Sequence, residues 1–246
     1  MPAALRAAWG FTGIFLLALL WMAAHALYGP FVMPRLDETL AAVVEVVRSG
    51  VAARAAITTA GQAICGWLIG CGAGLALALV AGAWPPLAAA LAPIATLLIG
   101  TPPVAWMVLA LLWFGPGGGI GIFTVSLTVA PMIFGAALHG ILSRDPALDE
   151  MARQFRAPWR QRITDIVAPQ MRTALTPAVA SALGFSWKVG VMTEVMASGT
   201  GIGGELALAR AHLDLPQTMA WILILLALVL ISDGVLVLPL RTSREQ

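Results

Sequence analysis

A few residues of this 246-residue sequence carry charge inside long hydrophobic runs. Lys188, the single lysine of the sequence, lies well inside one run, Glu194 follows six residues later, and Asp233 lies in the last run. A charge at the centre of a bilayer costs about 2.5–3.5 kcal/mol on insertion scales, so such residues normally face a protein interior or a water-filled cavity. Lys188, Glu194 and Asp233 are therefore candidate residues of a translocation pathway. A structural ion pair of Lys188 with Asp233 or Glu194 is the alternative.

Motifs that signal catalysis are missing from the sequence. It contains no GxxxxGK[ST] phosphate loop, no HExxH and no GxSxG, which argues against ATP hydrolysis by a phosphate loop and against metalloprotease or esterase chemistry. Cys65 and Cys71, six residues apart in one apolar segment, point to different sides of a helix and indicate neither a disulfide nor a metal site. We therefore predict no catalytic residue, no metal site and no cofactor in this chain.

The composition is that of a membrane protein. Hydrophobic residues make up 60% of the sequence and charged residues 11%, and the mean hydropathy is +0.91, which is too apolar for one soluble domain. The net charge of +2 gives no support to nucleic-acid binding. We predict an all-α, polytopic integral membrane protein, a single transmembrane domain over residues 1–246. About six hydrophobic runs are long enough to span a bilayer, at about 10–28, 57–82, 87–114, 120–141, 173–197 and 218–240.

Several of these runs have distinctive features. Gly66, Gly70 and Gly74 form overlapping GxxxG steps, which allow close packing of helices. Pro102 and Pro103 interrupt the third run, as a plain kink or as backbone that lines a cavity. A GxGxxG pattern begins at Gly199, but no βαβ unit surrounds it, so we predict a flexible loop and not a nucleotide site. The first run is interpreted as an uncleaved span and not as a secretory signal.

Six arginines fall between the fourth and fifth runs and set the orientation. Within the loop of about 142–172 they are Arg144, Arg153, Arg156, Arg160, Arg162 and Arg172. The positive-inside rule places such a short loop in the cytoplasm. With six spans, both termini are then cytoplasmic as well.

The same loop contains a short amphipathic helix. Leu148, Met151, Ala152 and Phe155 are spaced i, i+3, i+4 and i+7, so they share one face. We predict a cytoplasmic helix over about 148–158 that Pro158 ends. Its apolar face has to be covered by the body of the protein or by a partner.

The loop resembles a known signature. Residues 150–169 are similar to the cytoplasmic loop of bacterial ABC importer permeases, whose pattern is E-A-A, three residues, G, nine residues, I, one residue, L-P. Glu150, Met151 and Ala152 stand at the first three positions, and Ile166 and Pro169 stand at the isoleucine and the proline. Two positions differ from the pattern, with Arg156 at the glycine and Ala168 at the leucine. The pair Ala157-Pro158 then provides a break one residue later.

The likeness extends to residues 182–206 and 32–50, which resemble the nitrate, sulfonate and taurine branch of these permeases, a branch that also includes thiamine-precursor transporters. Glu194 stands where members of the branch commonly carry a glutamate. The resemblance implies a multi-pass subunit of the bacterial inner membrane. It also implies two copies of this chain, two copies of an ATPase that binds ATP and Mg, and a periplasmic binding protein that delivers the solute. It assigns ATPase coupling to Leu148, Glu150, Met151, Ala152, Phe155 and Arg156.

Two other function classes are compatible with parts of the sequence. An ion-coupled secondary transporter would use Lys188, Glu194 and Asp233 as coupling charges, with the Pro102-Pro103 break as a site. It would leave the amphipathic loop helix without a role. A membrane-embedded enzyme is opposed by the missing nucleophile, base and metal motifs. In an importer the binding protein selects the solute, and one lysine in the pathway suits an anion.

Overall fold

The computed structural model describes residues 3–117 and 119–237, and none of these residues forms a β-strand, which confirms the all-α class. The helices are α1 (Ala3–Tyr28), α2 (Leu36–Arg48), α3 (Val51–Ala83), α4 (Pro85–Gly100), α5 (Pro103–Phe114), α6 (Gly119–Leu142), α7 (Pro146–Gln154), α8 (Trp159–Gln161), α9 (Ala168–Thr193), α10 (Gly201–Ala211) and α11 (Leu215–Ser232). Three segments are π-helical, namely Arg162–Val167, Glu194–Ser198 and Asp233–Val237.

Three of the described helical stretches are long and apolar enough to cross a membrane, Val51–Ala83, Gly119–Leu142 and Leu215–Val235. The bent pair of α4 and α5 makes a fourth if the two helices form one span, and Phe15–Tyr28 is a shorter apolar helix. Six spans therefore stay a prediction. The last three residues of the sixth predicted span, 238–240, lie outside the described residues.

The glycine steps of α3 form its contact with α6. A Cβ atom added to Gly66 would lie 2.6 Å from the Cβ of Val125, and one added to Gly70 would lie 2.7 Å from the Cβ of Val129. The Ser126 hydroxyl donates a hydrogen bond to the carbonyl of Gly66 at 3.1 Å. No side chain fits between the two backbones here, which confirms that the GxxxG steps serve close packing.

Helix α9 packs against both α3 and α6. The Trp67 indole N–H donates to the Val179 carbonyl at 3.2 Å and joins α3 to α9. Ala63 of α3 and Trp187 of α9 are buried in the same cluster. Helices α3, α6 and α9 therefore form the centre of the chain, and α4, α5, α10 and α11 surround it.

The helical structure of the third hydrophobic run is interrupted at the predicted place. Helix α4 ends at Gly100, α5 begins at Pro103, and the two helix axes are bent by 94°. Proline has no N–H to donate, and the Thr101 hydroxyl donates to the Leu97 carbonyl at 2.8 Å. The result is a sharp corner between two helices, and not a kink within one continuous helix.

The helix that contains α9 begins much earlier than predicted. Helix α8, the π-helical segment Arg162–Val167 and α9 follow one another without a break, so helical structure starts at Trp159, ahead of the span predicted from about 173. Pro158 precedes the first residue of this stretch, and Pro169 lies in the first turn of α9. Proline is tolerated just before a helix because the first N–H groups of a helix have no partner within it, whereas Pro169 lies inside the continuous stretch, two residues after its π-helical segment.

Adding one methyl group at the contact of α3 and α6 tests its tightness. We expect Gly70→Ala to lower stability by about 1–3 kcal/mol, as overpacking does. Thermal unfolding of the detergent-solubilised protein measures the change. Gly72→Ala is the matched control, because no atom lies within 4 Å of a Cβ at Gly72. An equal effect of the two substitutions would contradict the packing role of Gly70.

Candidate functional site

Hydrogen bonds hold α7 to the ends of the two central helices beside it. The Asp145 carboxylate accepts from the Ala147 N–H at 2.9 Å and so caps the helix. The backbone N–H of Asp145 donates to the Gln170 side-chain oxygen at 2.8 Å. Arg144 donates to the Ile141 carbonyl at 2.9 Å and lies 3.9 Å from the Asp149 carboxylate. Helix α7 is thus fixed to the end of α6 and to the start of α9.

The apolar face of α7 is only partly covered by the chain itself. Ala152 is 3% exposed and points inward, whereas Leu148 is 36%, Met151 46% and Phe155 80% exposed. Glu150 and Arg156, the other two residues assigned to coupling, are exposed as well. Leu148, Met151 and Phe155 therefore form an apolar patch on a short, capped helix, here called the α7 patch.

Helix α7 ends at Gln154, four residues before the predicted end. The Ala157 N–H donates to the Ala152 carbonyl at 2.9 Å, and the Arg156 N–H donates to the Arg153 carbonyl at 3.0 Å. This bond pattern is a Schellman turn, which needs a left-handed residue after the helix. Arg156 is that residue, with φ +49°. The prediction that Ala157-Pro158 supplies the break is wrong, because the turn forms at the glycine position of the signature without a glycine.

Lys188 lies on an exposed stripe of α9. The exposed residues at helical spacing along this face are Ser181, Phe185, Lys188, Met192 and Met196. The Lys188 ammonium lies 5.6 Å from the centre of the Phe185 ring, within cation–π range. Asp233 is also exposed. The ion pairs found within residues 3–117 and 119–237 do not join Lys188 to Asp233 or to Glu194.

Glu194 lies in the interior of the chain, unlike Lys188 and Asp233. It has no exposed surface. One carboxylate oxygen accepts from the Thr59 hydroxyl at 2.8 Å and from the Gly203 N–H at 3.0 Å. The Thr59 hydroxyl oxygen in turn accepts from the Ile202 N–H at 2.9 Å. Glu194 and Thr59 thus satisfy backbone donors at the start of α10, which helices otherwise leave unpaired.

The predicted flexible loop around the GxGxxG pattern is wrong. Residues 201–204 are buried and form the first turn of α10. A Cβ added to Gly203 would lie 2.6 Å from the Cβ of Glu194, and Gly199 and Gly201 have φ values of +61° and +69°. The glycines are needed because the loop lies against Glu194. Neither this role of the glycines nor that of Thr59 follows from the sequence patterns above, although closely spaced glycines just after a membrane-embedded glutamate are a signal for the first of them.

Pro102 and Pro103 lie at the corner between α4 and α5, where Pro102 is exposed and Pro103 begins α5. The Pro102 carbonyl accepts from the Ala105 N–H at 3.0 Å. Among the described residues no group of three or more His, Cys, Asp or Glu side chains is placed to hold a metal ion.

A family model matches residues 70–238, and its description is "Binding-protein-dependent transport system inner membrane component". The chain belongs to this family. The match confirms the resemblance that the signature loop and the segment 182–206 carry, because both lie inside it. The α7 patch and Glu194 of this inner membrane component lie within the matched residues, and Thr59 precedes them.

Curated relatives are similar over part of their length. A putative aliphatic sulfonates transport permease protein of Bacillus subtilis (strain 168) is 27% identical over 173 residues, 70% of this chain and 63% of the relative. The taurine transport system permease protein of Escherichia coli (strain K12) is 25% identical over 70% of this chain and 62% of the relative. The nitrate import permease protein of Leptolyngbya laminosa is 27% identical over 56% of this chain and 50% of the relative. The alignments thus span between half and just under two thirds of these relatives.

A solved structure shares the fold of this inner membrane component. The crystal structure of an amino acid ABC transporter with histidines superposes with a TM-score of 0.65, over 81% of this chain and 97% of that chain. The two sequences are 18% identical. The likeness therefore concerns the arrangement of helices.

The left-handed conformation of Arg156 yields a prediction. A non-glycine residue in this conformation costs about 1–2 kcal/mol. Glycine removes this cost, but it loses more conformational entropy on folding, which offsets part of the gain. We expect Arg156→Gly to raise the stability of the isolated protein by about 0.5–1 kcal/mol, measured as a higher midpoint of thermal unfolding. Arg153→Gly, inside α7, should instead destabilise by about 1 kcal/mol. A loss of stability in both variants would contradict the strain at Arg156.

Proposed function

We propose that the chain is the membrane-spanning permease subunit of an ATP-driven importer. Family membership supports this proposal, and the α7 patch is the observation that carries it. An apolar patch on a capped, well-anchored helix beside the arginines of the loop is unlike a lipid-facing surface. It suits a protein partner that receives a short amphipathic helix in a groove.

The proposed partner at this patch is an ATPase subunit, present in two copies and binding ATP and Mg. Leu148, Met151 and Phe155 enter its groove, and the exposed Arg153 and Arg156 make charge-assisted contacts at the rim. Because short arginine-rich loops stay in the cytoplasm, this end of the bundle faces the cytoplasm. Both termini then lie on the same side, although residues 1, 2 and 238–246 fall outside the described residues.

A second copy of this chain and a periplasmic binding protein complete the proposed importer in the bacterial inner membrane. The pathway runs along the Lys188 face of α9, between the two copies. An ammonium that pairs with no acid among the residues that the structure describes is costly in lipid, so this face meets water. The relatives are named for aliphatic sulfonates, nitrate and taurine, and a small solute with a negatively charged group suits Lys188. The corner at Pro102 and Pro103 remains a second candidate for the pathway.

The ion-coupled alternative receives less support. It requires Glu194 at a surface that an ion and a solute reach in turn, whereas this carboxylate is buried and capped by Thr59 and Gly203. It also gives the α7 patch nothing to do. The importer accounts for both features.

Charge at the most exposed side chain of the α7 patch should weaken docking. We expect Phe155→Asp to weaken binding of the ATPase by about 2 kcal/mol or more, roughly 30-fold, as loss of a central apolar anchor does. Co-purification of the two subunits from membranes measures it. Trp159→Asp is the control, because Trp159 is 67% exposed but does not belong to the α7 patch. Equal membrane insertion of both variants must be shown, and retention of the ATPase by Phe155→Asp would refute the docking assignment.

Water access to position 188 tests the pathway. In a chain with Cys65 and Cys71 replaced by serine, we expect Lys188→Cys to react with a membrane-impermeant, charged thiosulfonate reagent, because polar pathways admit such reagents and lipid does not. Mass spectrometry of the labelled protein reports the reaction. Leu230→Cys, at an exposed apolar position of α11, should stay unlabelled. No reaction at position 188 in the assembled importer would remove Lys188 from the pathway.

A further inference from the structure

Helix α9 connects two structural sites that lie far apart. Helical structure continues from Trp159 to Ser198, and a π-helical segment flanks α9 at each end. The first, Arg162–Val167, contacts α7. The second, Glu194–Ser198, begins at the residue that caps α10. The 26 residues of α9 alone separate the two segments by about 39 Å at 1.5 Å per residue.

The contact of Glu194 with α10 is tight and fully desolvated. One hydroxyl, that of Thr59, bonds the Glu194 carboxylate and the Ile202 N–H, and it lies 3.1 Å from the Ala55 carbonyl. Three segments, α3, the end of α9 and the start of α10, thus meet at one buried hydroxyl and one buried carboxylate. The partners of a buried polar group are costly to separate, because each unpaired group costs about 1–3 kcal/mol.

Between the end of α9 and the start of α10, a glycine in the left-handed conformation lies on each side of Thr200. Gly199 and Gly201 both occupy the left-handed region, at φ +61° and +69°, and a π-helical turn stands directly before them. π-turns inside helices are frequent at functional sites, and glycine absorbs large changes of φ at little cost. The Glu194 contact therefore holds this link against the first turn of α10, and α10 packs in addition against α3 and α11.

We propose that Glu194 is a positioning residue that makes α10 follow the movement of α9. A displacement that a partner imposes on α7 passes to the adjoining π-helical segment, along α9, and through Glu194 and Thr59 to α10 at the opposite end of the bundle. Helix α10 thereby moves together with the end of α9 that carries Lys188. This inference rests on the proposed importer function for the displacement that starts at α7. The contact between Glu194 and α10 does not depend on that function.

Loss of the contact should uncouple the two ends without dismantling the bundle. The test compares Glu194→Ala with Glu205→Ala, a partly buried glutamate of α10 itself. Thr59→Val, which removes the hydroxyl at nearly constant volume, is compared with Thr59→Ser, which keeps the hydroxyl. The complete importer is reconstituted with its ATPase and binding protein. We expect Glu194→Ala and Thr59→Val to lose solute uptake and binding-protein stimulation of ATP hydrolysis by about tenfold, within the usual range of coupling between sites. Basal ATP hydrolysis, Glu205→Ala and Thr59→Ser should stay close to wild type.

A second measurement follows α10 directly and needs neither ATPase nor solute. Ala209 of α10 is 1% exposed, so Ala209→Cys in a chain without Cys65 and Cys71 should react slowly with an impermeant maleimide. We expect the reaction to accelerate when Thr59→Val is added and to remain slow with Thr59→Ser. This arm keeps the inference testable if Glu194→Ala fails to fold.

The outcomes separate this inference from the proposed function. Normal stimulation and uptake in both Glu194→Ala and Thr59→Val, with a slow reaction at position 209, would overturn the positioning role while the importer stands. A parallel fall of basal and stimulated ATP hydrolysis would also overturn it, because it would indicate general destabilisation. If the wild-type chain binds no ATPase but Thr59→Val still exposes position 209, the importer fails and the Glu194 contact stands as a structural lock.

Discussion

The close approach of α3 and α6 is the contact on which the rest of the chain depends. Gly66 and Gly70 leave the two backbones too near for any intervening side chain, so the relative height of the two helices along their axes is fixed to within a fraction of a helical turn. Helix α9 then packs against both of them. Through this arrangement the end of α6 and the start of α9 come together, and α7 is anchored there by Asp145 and Gln170.

The same geometry places Thr59 beside Glu194. Thr59 lies on α3 ahead of Gly66, and Glu194 lies after the end of α9, 135 residues later in sequence. Neither residue has a local reason to meet the other. A shift of α3 by one turn would take the hydroxyl away from the carboxylate and leave the start of α10 without partners. The packing glycines and the buried polar contact are thus two ends of one constraint.

Sequence patterns predicted the features that depend on neighbouring residues. Helical class, the GxxxG packing, the break at Pro102 and Pro103 and the amphipathic spacing in α7 all follow from periodicity or from the chemistry of proline and glycine. The turn after α7 was placed wrongly because Arg156 adopts a conformation that its residue type disfavours. The order of the segment 198–204 was missed because it comes from Glu194 and Thr59, which tertiary structure brings together. Lys188 lies on an exposed face of α9 because α3 and α6 cover the other faces, and no local pattern predicts that packing.

The turn at Arg156 determines which charge the chain presents beside the α7 patch. A glycine there would ease the backbone but present nothing to a neighbour, whereas arginine places a guanidinium at the negative end of the α7 dipole, where cations are favoured. The turn is strained, and it places a cation beside the α7 patch. An ATPase that evolved with this chain would need room and an acidic or polar group opposite that cation. In the proposed importer this guanidinium is a feature that a glycine at the same position would not present to the ATPase.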